Sequence, residues 1–416
     1  MARDQIITGI DIGSSSIRVV SGQVKSTRGD GPALHIIGAA ETPAEGISKG
    51  AIISIEDAVS SISAALERCE RMTGVPIEQA LVSVNGAHVV AQESQGVVAV
   101  SKANGEVGED DVERAVEAAQ SVATPQNYEI LHVIPRSFSV DDQHGIKDPV
   151  GMTGIKLEVN AQIILGMTSQ IKNVTKSVYR TGVDIDDLVV EVLAASEAVL
   201  TKRQKELGVA LVNMGGATTS LMVFEEGDVI HTKILPVGAG HITNDIAIGL
   251  RTSVDVAEEV KRQYGTALSE EVNKRDEIDL ATIDENEAVR VSKKEVAEII
   301  EARLEEIFSM LKKELQSIDR DGKLPAGIIF TGGGCKLTGL IDMAKSQFRM
   351  SAAIGSPQHF QTPIDKIEDP SFSTAIGLVL WAQGLHEGVR RPGLGNFSSV
   401  SEVTGKMGKW FKSLIP

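Results

Sequence analysis

One short motif occurs twice in the chain, once in each half, and it constrains the fold more than any other feature. Residues 10–20 read Ile-Asp-Ile-Gly-Ser-Ser-Ser-Ile-Arg-Val-Val, and residues 212–222 read Val-Asn-Met-Gly-Gly-Ala-Thr-Thr-Ser-Leu-Met. Each copy is an apolar strand, a turn of glycine and small residues, and a second apolar strand, which predicts a β-hairpin. Because the copies are offset by 202 residues throughout, the sequence predicts two similar halves.

Strand-like apolar runs alternate with helical patterns from end to end, which is typical of an α/β protein. At roughly 150 residues per domain, a chain of 416 residues is long enough for two to three lobes with buried cores. In the strongest helical pattern, Ser292 and Glu295 have the spacing of a capping box, and apolar residues then recur at every third or fourth position. The patterns predict helices at Ile55–Met72, Glu109–Ser121, Thr168–Thr181, Asp255–Tyr264 and Ser292–Ile318.

The turns of the two hairpins have the composition of an anion-binding site. Backbone amides and hydroxyl groups of such turns can converge on one anion, and glycine allows a close approach that a Cβ would prevent. The carboxylate of Asp11 is suited to hold Mg²⁺ through water. An ordinary turn explains either hairpin alone equally well, but two copies at one offset favour the binding site. The candidate residues are Asp11, Gly13, Ser14, Ser15, Ser16, Asn213, Gly215, Gly216, Ala217 and Thr218.

A third Gly-rich turn, residues 331–340 (Thr-Gly-Gly-Gly-Cys-Lys-Leu-Thr-Gly-Leu), follows the predicted strand Ala326–Phe330. A strand, a Gly-rich turn and a helix in succession form an arrangement that binds nucleotides. The turn is neither a Walker A loop nor a Gly-x-Gly-x-x-Gly fingerprint, which disfavours P-loop and Rossmann folds. By itself it also fits a tight bend, so the order of the three turns is the specific feature. Its candidate cofactor-binding residues are Gly332, Gly333, Gly334 and Lys336.

In this order the three turns resemble the first phosphate, second phosphate and adenosine motifs of the actin-like ATPase superfamily. Within it, the chain resembles the bacterial cell-division FtsA family from the first strand through residues 369–377 (Asp-Pro-Ser-Phe-Ser-Thr-Ala-Ile-Gly) to the last residue. The resemblance implies a two-lobed actin-like (ribonuclease H-like) fold with ATP and Mg²⁺ as cofactors. It places Glu258 and Lys261 beside the adenosine, Gly240 near the ribose and phosphates, and Glu191 where the attacking water is oriented. A solvated helix face is the alternative for Glu258, Lys261 and Glu191.

The resemblance also implies the division of the chain into units. An inserted β-α-β-β subdomain replaces an actin subdomain and by resemblance serves filament contacts and later division proteins. A small subdomain of the second lobe carries the adenosine side and the FtsZ-binding site, and the last helix of the fold packs across both lobes. The units are the first lobe (1–83 and 167–198), the inserted subdomain (84–166), the second lobe (199–250 and 324–371), its small subdomain (251–323), the last helix (372–386), a linker (387–404) and an amphipathic helix (405–416).

Residue 213 departs from the superfamily pattern. Most actin-like ATPases have Asp at the position that the repeat assigns to Asn213. A neutral amide lacks the negative charge that helps to order Mg²⁺-bound water, and phosphoryl transfer depends on such electrostatics. We therefore expect ATP binding with slow or negligible hydrolysis, with Asp11 and Glu191 as the candidate catalytic residues.

The charge of the chain is segregated between its body and its end. With 41 Lys and Arg against 57 Asp and Glu the formal net charge is −16, which argues against nucleic acid as a partner. The same charge would repel an anionic membrane. After Glu402, however, the chain has three lysines and no acidic residue.

This end of the chain predicts an amphipathic helix that binds a membrane surface. Its apolar residues have the i, i+3, i+4, i+7 spacing of one helix face, and its lysines occupy the other. The linker spans roughly 23 Å as a flexible chain, beyond a Debye length of about 8 Å, so the acidic body repels lipid little at the tail. Packing of this helix on its own fold is the alternative. The predicted membrane contacts are Lys406, Met407, Lys409, Trp410, Phe411, Lys412, Leu414 and Ile415.

Targeting signals and cysteine content indicate the cellular compartment. We expect no signal peptide, because the first residues are polar, and no transmembrane helix, because the uncharged stretch 371–386 is shorter than roughly 20 residues. Cys69 and Cys335 are too few for a disulfide framework or a metal cluster and are interpreted as reduced cytosolic thiols.

The resemblance, together with the predicted tail, implies an ATP-binding, filament-forming adaptor that tethers FtsZ to the cytoplasmic face of the membrane at the division site. By resemblance its partners are the C-terminal tail of FtsZ, further copies of the chain, anionic lipid and later division proteins, and not nucleic acid. Arg303 is the candidate contact for the acidic FtsZ tail, although an ion pair with Glu298 or Glu306 explains it equally well. A PilM-like pilus assembly protein and a small-molecule kinase of the same superfold are the alternatives.

Overall fold

The computed structural model describes residues 6–25, 33–122, 124–287 and 289–386. Strands and α-helices alternate along these ranges, which confirms the predicted α/β class. The strands are β1 (Ile6–Ile12), β2 (Ser16–Lys25), β3 (Ala33–Pro43), β4 (Ile47–Ser48), β5 (Ala51–Ile52), β6 (Gln79–Val84), β7 (Val89–Ala99), β8 (Tyr128–Val140), β9 (Gln143–Ile146), β10 (Lys156–Met167), β11 (Asp184–Val190), β12 (Val209–Met214), β13 (Thr219–Glu225), β14 (Asp228–Leu235), β15 (Glu277–Asp279), β16 (Arg290–Ser292), β17 (Ile328–Thr331) and β18 (Ala352–Ile354).

The predicted helices are confirmed to within two residues at each end. Ser292 caps the longest one, because its hydroxyl accepts a hydrogen bond from the amide of Glu295, and the predicted apolar positions of this helix are buried. The helices are α1 (Ile55–Thr73), α2 (Glu109–Val122), α3 (Thr168–Tyr179), α4 (Glu191–Val199), α5 (Lys202–Leu207), α6 (Ala239–Leu250), α7 (Val254–Tyr264), α8 (Lys293–Ser317), α9 (Leu340–Phe348) and α10 (Ser373–His386).

Two five-stranded sheets have the same topology. The first follows the order β11-β6-β1-β2-β3, and the second follows β18-β17-β12-β13-β14. In each, the repeated hairpin supplies the central antiparallel pair, and a parallel strand lies beside its first strand. Asp11 is opposite Arg18 in the first hairpin, as Asn213 is opposite Ser220 in the second. The predicted duplication is therefore present residue for residue.

Helices α4 and α10 lie between the two sheets. Their buried residues form one hydrophobic core with Val20 of the first sheet and Leu211 of the second. The helices cross closely at Gly377, where a Cβ would lie 1.9 Å from the carbonyl oxygen of Ala194. The last described helix therefore packs between the two sheets.

The inserted subdomain contains one strand more than predicted. Its sheet has the order β7-β10-β8-β9 and is covered on one face by α2, so the chain order is β-α-β-β-β rather than β-α-β-β. Strand β9 was missed because its four residues, Gln-His-Gly-Ile, are largely exposed and show no apolar alternation. Gln162 and Lys147 of this subdomain contact Thr232 and Asp228 on the edge strand of the second sheet.

Helices α6, α7 and α8 pack on the other face of the second sheet. Their buried residues share one core with Val212 and Phe330 of the central strands. A two-stranded sheet of β15 and β16 lies before α8. The domain boundaries given above remain predictions.

Cys69 and Cys335 are buried and unbridged, and burial raises the pKa of the Cys335 thiol to about 12. Within the described ranges, none of the helices has the length and apolarity to cross a bilayer. The predicted linker 387–404 and amphipathic helix 405–416 lie outside the described residues.

Candidate nucleotide-binding site

The first turn connects β1 to β2 and lies at the carboxyl end of β1. The amide of Gly13 donates to the carbonyl oxygen of Ser16 at 3.2 Å and closes the turn, and the hydroxyl of Ser14 accepts from the amide of Gly50 at 2.8 Å. The Asp11 carboxyl is buried behind the turn, where burial raises its pKa. Arg18, 4.0 Å away, acts in the opposite direction.

The second turn has the same closure and is fixed to a helix. The amide of Gly215 donates to the carbonyl oxygen of Thr218 at 2.9 Å. The carbonyl oxygens of Gly215 and Gly216 accept from the first amides of α6, Ala239 and Gly240, at 2.9 and 2.7 Å. The amide of Gly240 is thus already paired, and a Cβ there would lie 2.8 Å from the oxygen of Gly216. Gly240 supports the turn by close packing.

The two turns face each other. A Cβ on Gly216 would lie 2.0 Å from the hydroxyl oxygen of Ser15, so the turns are in contact. Within the part of the chain that the structure describes, the amides of Ser14, Ser15, Gly216 and Ala217 donate to no protein acceptor. Four unpaired amides from two symmetrical turns, with a carboxyl behind them, are the kind of donors that an anion-binding nest requires.

The third turn lies beside the second. A Cβ on Gly334 would lie 2.7 Å from the side chain of Met214 and 3.0 Å from that of Ala239. The amide of Gly332 donates to the carbonyl oxygen of Pro370. Lys336 is half exposed and pairs with Asp369 at 2.8 Å. The structure thus brings all three predicted turns together at one end of the two sheets.

Glu258 and Lys261 lie on α7 and face the beginning of α6. The Lys261 ammonium donates to Glu258, to the hydroxyl of Thr243 and to the carbonyl oxygen of Ala239, at 2.6, 2.7 and 3.2 Å. The lysine is largely buried, and the Lys261 ammonium and the Thr243 hydroxyl together lower the pKa of Glu258 against the effect of burial. They are therefore not a merely solvated helix face.

Glu191 begins α4 directly beneath the two turns. Its carboxyl is 3% exposed and accepts a hydrogen bond from the side-chain amide of Asn213, which also donates to Thr374 at 3.3 Å. Burial raises the pKa of Glu191 to about 8, and the negative charge of Asp11 acts in the same direction. A solvated helix face is therefore excluded for Glu191 as well.

Arg303 lies away from this cleft on α8. Its guanidinium donates to both carboxylate oxygens of Asp245 on α6, at 2.6 and 2.9 Å, and to Glu306. The hydrogen bonds to Asp245 and Glu306 raise the pKa of Arg303. The ion pair with Glu306 is one that the sequence suggested as the alternative to an FtsZ contact. The sequence did not predict the ion pair with Asp245.

Sequence reasoning missed two residues at the end of β6. The hydroxyl of Ser83 donates to Asp11 at 2.8 Å and accepts from the amide of Ile12 at 2.9 Å, and so orients the carboxyl. The side-chain amide of Asn85 donates to the hydroxyl of Thr218 at 2.9 Å, from one half of the chain to the other. Only the parallel pairing of β6 with β1, which no local pattern reveals, brings them to the site.

Duplicated sheets with facing Gly-rich turns define an actin-like fold, and solved structures share it. They include a chain of the PilM–PilN type IV pilus biogenesis complex (TM-score 0.65, 16% identity, covering 90% of this chain and 98% of that one). MreB5 of Spiroplasma citri bound to ADP is also similar (TM-score 0.53, 12% identity, covering 93% of this chain and 98% of that one). The MamK double helical filament is similar (TM-score 0.51, 13% identity, 91% and 98%).

Sequence relatives give the family. The cell division protein FtsA of Bacillus subtilis is 37% identical to this chain, over 92% of this chain and 84% of the relative. The cell division protein FtsA of Pseudomonas aeruginosa is 34% identical, over 91% of this chain and 89% of the relative. The family model for cell division protein FtsA matches residues 210–377, and the model for the SHS2 domain inserted in FtsA matches residues 86–165. The chain belongs to the FtsA family of cell division proteins.

Proposed function

We propose that this chain binds ATP, forms filaments and tethers FtsZ polymers to the cytoplasmic face of the cell membrane at the division site. The observation that carries the nucleotide site is the pair of facing turns with four unpaired amides. Among neighbours of the same fold, MreB5 of Spiroplasma citri was solved with ADP, which supports a nucleotide as the anion.

The residues present fit ATP with Mg²⁺. The amides of the first and second turns are donors for phosphate oxygens. Asp11 would hold Mg²⁺ through water, and the ion would neutralise phosphate charge. The third turn with Lys336 would flank the adenosine, together with Glu258 and Lys261.

We expect hydrolysis to be slow or negligible. Asn213 provides no negative charge, and burial raises the pKa of Glu191, bonded to it, to about 8, which favours its uncharged form. The experiment measures phosphate release together with ATP affinity on the full chain. Micromolar binding with little release supports the proposal, and turnover typical of a metabolic kinase, about 10 s⁻¹ or more, contradicts it.

Self-association and the division partners follow from the family. MamK, of the same fold, forms a double helical filament. The inserted subdomain, matched by the SHS2 model, would serve filament contacts and later division proteins. The small subdomain with α8 would receive the FtsZ tail.

The predicted tail would supply membrane attachment. Each of Lys406, Lys409 and Lys412 contributes roughly 1 kcal/mol near anionic lipid. The apolar face contributes about 1.5–3 kcal/mol per side chain if burial is complete. Ordering the segment costs roughly 1–2 kcal/mol of conformational entropy per residue. A single tail therefore binds weakly, and many tails on one filament bind together through effective concentration.

Deletion of residues 405–416 tests the membrane role by co-sedimentation with vesicles that contain phosphatidylglycerol. We expect the full chain with ATP to pellet and the deletion variant to stay in the supernatant. A variant with Gln at Lys406, Lys409 and Lys412 keeps the apolar face, and its binding should fall and lose its salt dependence. Binding that survives the deletion would remove the reason for the membrane role.

A further inference from the structure

We propose that Asn85 is a positioning residue of the phosphate-binding site, an inference that rests on the proposed nucleotide binding. Asn85 directly follows β6, at the base of the inserted subdomain. Its side-chain nitrogen donates to the hydroxyl of Thr218 at 2.9 Å, and its side-chain oxygen accepts from the amide of Gly86 at 2.6 Å. The second bond fixes the side chain, so the first has a defined direction.

The loop that holds Asn85 is also linked to the first turn, through Gly50 of the β4–β5 hairpin. A Cβ on Gly50 would lie 2.5 Å from the Cα of Gly86, so the two backbones are in contact. The amide of Gly50 donates in turn to the hydroxyl of Ser14. Asn85 is therefore connected to both turns: its backbone neighbour Gly86 contacts Gly50, which bonds to the first turn, and its side chain bonds to the second.

The hydrogen bond to Thr218 determines what that hydroxyl can offer a ligand. A hydroxyl has one proton and two lone pairs. Because Asn85 donates to the oxygen, one lone pair is occupied and the proton points away from Asn85. Thr218 is almost fully buried, next to the unpaired amides of Gly216 and Ala217. Asn85 thus orients the Thr218 hydroxyl so that it can donate one more hydrogen bond to the phosphate chain of a nucleotide.

Two substitutions separate this role from an incidental contact. Asn85→Ala lets the hydroxyl rotate, and we expect ATP to bind about tenfold more weakly, the value of one charge-assisted hydrogen bond. Asn85→Asp should weaken binding more, because a carboxylate accepts the Thr218 proton and adds negative charge beside the phosphates.

A double-mutant cycle on the full chain tests the inference, with ATP affinity measured by calorimetry. Thr218→Val should cost as much as Asn85→Ala, and the double variant should cost no more than either. Losses that add would show that Asn85 acts only on the Gly86 loop, and would overturn the inference. So would an Asn85→Ala variant with unchanged affinity.

The same measurements distinguish the two levels of the proposal. Wild-type protein that does not bind ATP at millimolar concentration refutes the nucleotide site itself. Wild-type binding with an unaffected Asn85→Ala variant refutes the positioning role alone. Thermal unfolding of each variant shows whether the fold is retained, and Asn85→Asp, which keeps size and shape, gives the answer if Asn85→Ala does not fold.

Discussion

The side-chain amide of Asn213 donates a hydrogen bond to the carboxyl of Glu191, and both groups are buried beneath the two facing turns. Asn213 is the penultimate residue of the first strand of the second hairpin, and Glu191 begins α4, one of the two helices between the sheets. These two buried polar groups below the predicted phosphate site thus pair with each other. The protonated carboxyl and the neutral amide add no charge beside Asp11.

The buried Glu191 carboxyl should make the stability of the protein depend on pH. Its pKa is about 8 in the folded chain against an ordinary value of 4.5, so unfolding releases a proton between these pH values. The contribution of Glu191 to the free energy of unfolding should therefore fall as pH rises from about 5 to 8. Glu191→Gln keeps the shape without the titration and should flatten this dependence by a few kcal/mol. Urea midpoints of nucleotide-free protein at several pH values measure it. The exposed Glu67→Gln serves as control, and an unchanged slope in Glu191→Gln would contradict the assignment.

Replacing Gly377 by Ala should destabilise the protein, although Ala favours helices by about 1 kcal/mol. The new Cβ would lie 1.9 Å from the backbone oxygen of Ala194, which cannot move without shifting α4. In Gly249→Ala the Cβ meets only the tip of Ile299, a flexible side chain. We expect a loss of several kcal/mol for Gly377→Ala and little change for Gly249→Ala in thermal unfolding. Equal melting temperatures for the two variants would argue against the close helix crossing.

Removing the hydroxyl of Ser83 should reduce the part of ATP affinity that depends on Mg²⁺. Ser83 is the hydrogen-bond donor that orients Asp11, and loss of such a support typically weakens metal binding 10- to 100-fold. ATP titrations of Ser83→Ala with Mg²⁺ and with EDTA measure the difference. Ser177→Ala removes a buried hydroxyl that bonds only within α3 and should behave like wild type. A Ser83→Ala variant that keeps the full Mg²⁺ effect would show that Asp11 needs no support.

Freeing Arg303 should strengthen binding of an acidic FtsZ tail peptide, if the proposed contact is made through this residue. Asp245→Asn removes the charge that holds the guanidinium, so we expect affinity to rise severalfold and to depend more on salt. Fluorescence anisotropy with a labelled peptide measures it, with Asp342→Asn on the exposed face of α9 as control. No change would assign Arg303 to the structural pairing between α6 and α8.

Local patterns sufficed for the parts of the fold that repeat or alternate. The hairpin motif predicted both sheets, because the identities and spacing of the turn residues are local properties. The pairs Asp11–Arg18 and Asn213–Ser220 show that even the strand register is repeated. Strand β9 escaped because it is short, exposed and polar.

Contacts between distant segments were not predictable in the same way. Ser83 reaches Asp11 across 72 residues, and Asn85 reaches Thr218 across 133. Periodicity shows which face of an element is buried, but it does not show which side chain lies opposite. The ion pair of Arg303 with Asp245 depends on the packing of α6 on α8, which the sequence does not reveal. The tail stays a prediction from its sequence alone.

The close approach of α10 to α4 at Gly377 also determines how the halves can move. Gly377 and Ala194 each lie one helical turn, about 5 Å, after the residues that reach the site, Thr374 and Glu191. No side chain separates the two helices at this point, so a rotation of one half against the other would be centred here, although it would also have to repack the core that both helices share with the sheets. A pivot just below the cleft would turn a small angular change into a larger displacement at the far ends of the lobes. In the filament proposed above, subunits joined through those ends would sense nucleotide binding as a change of shape.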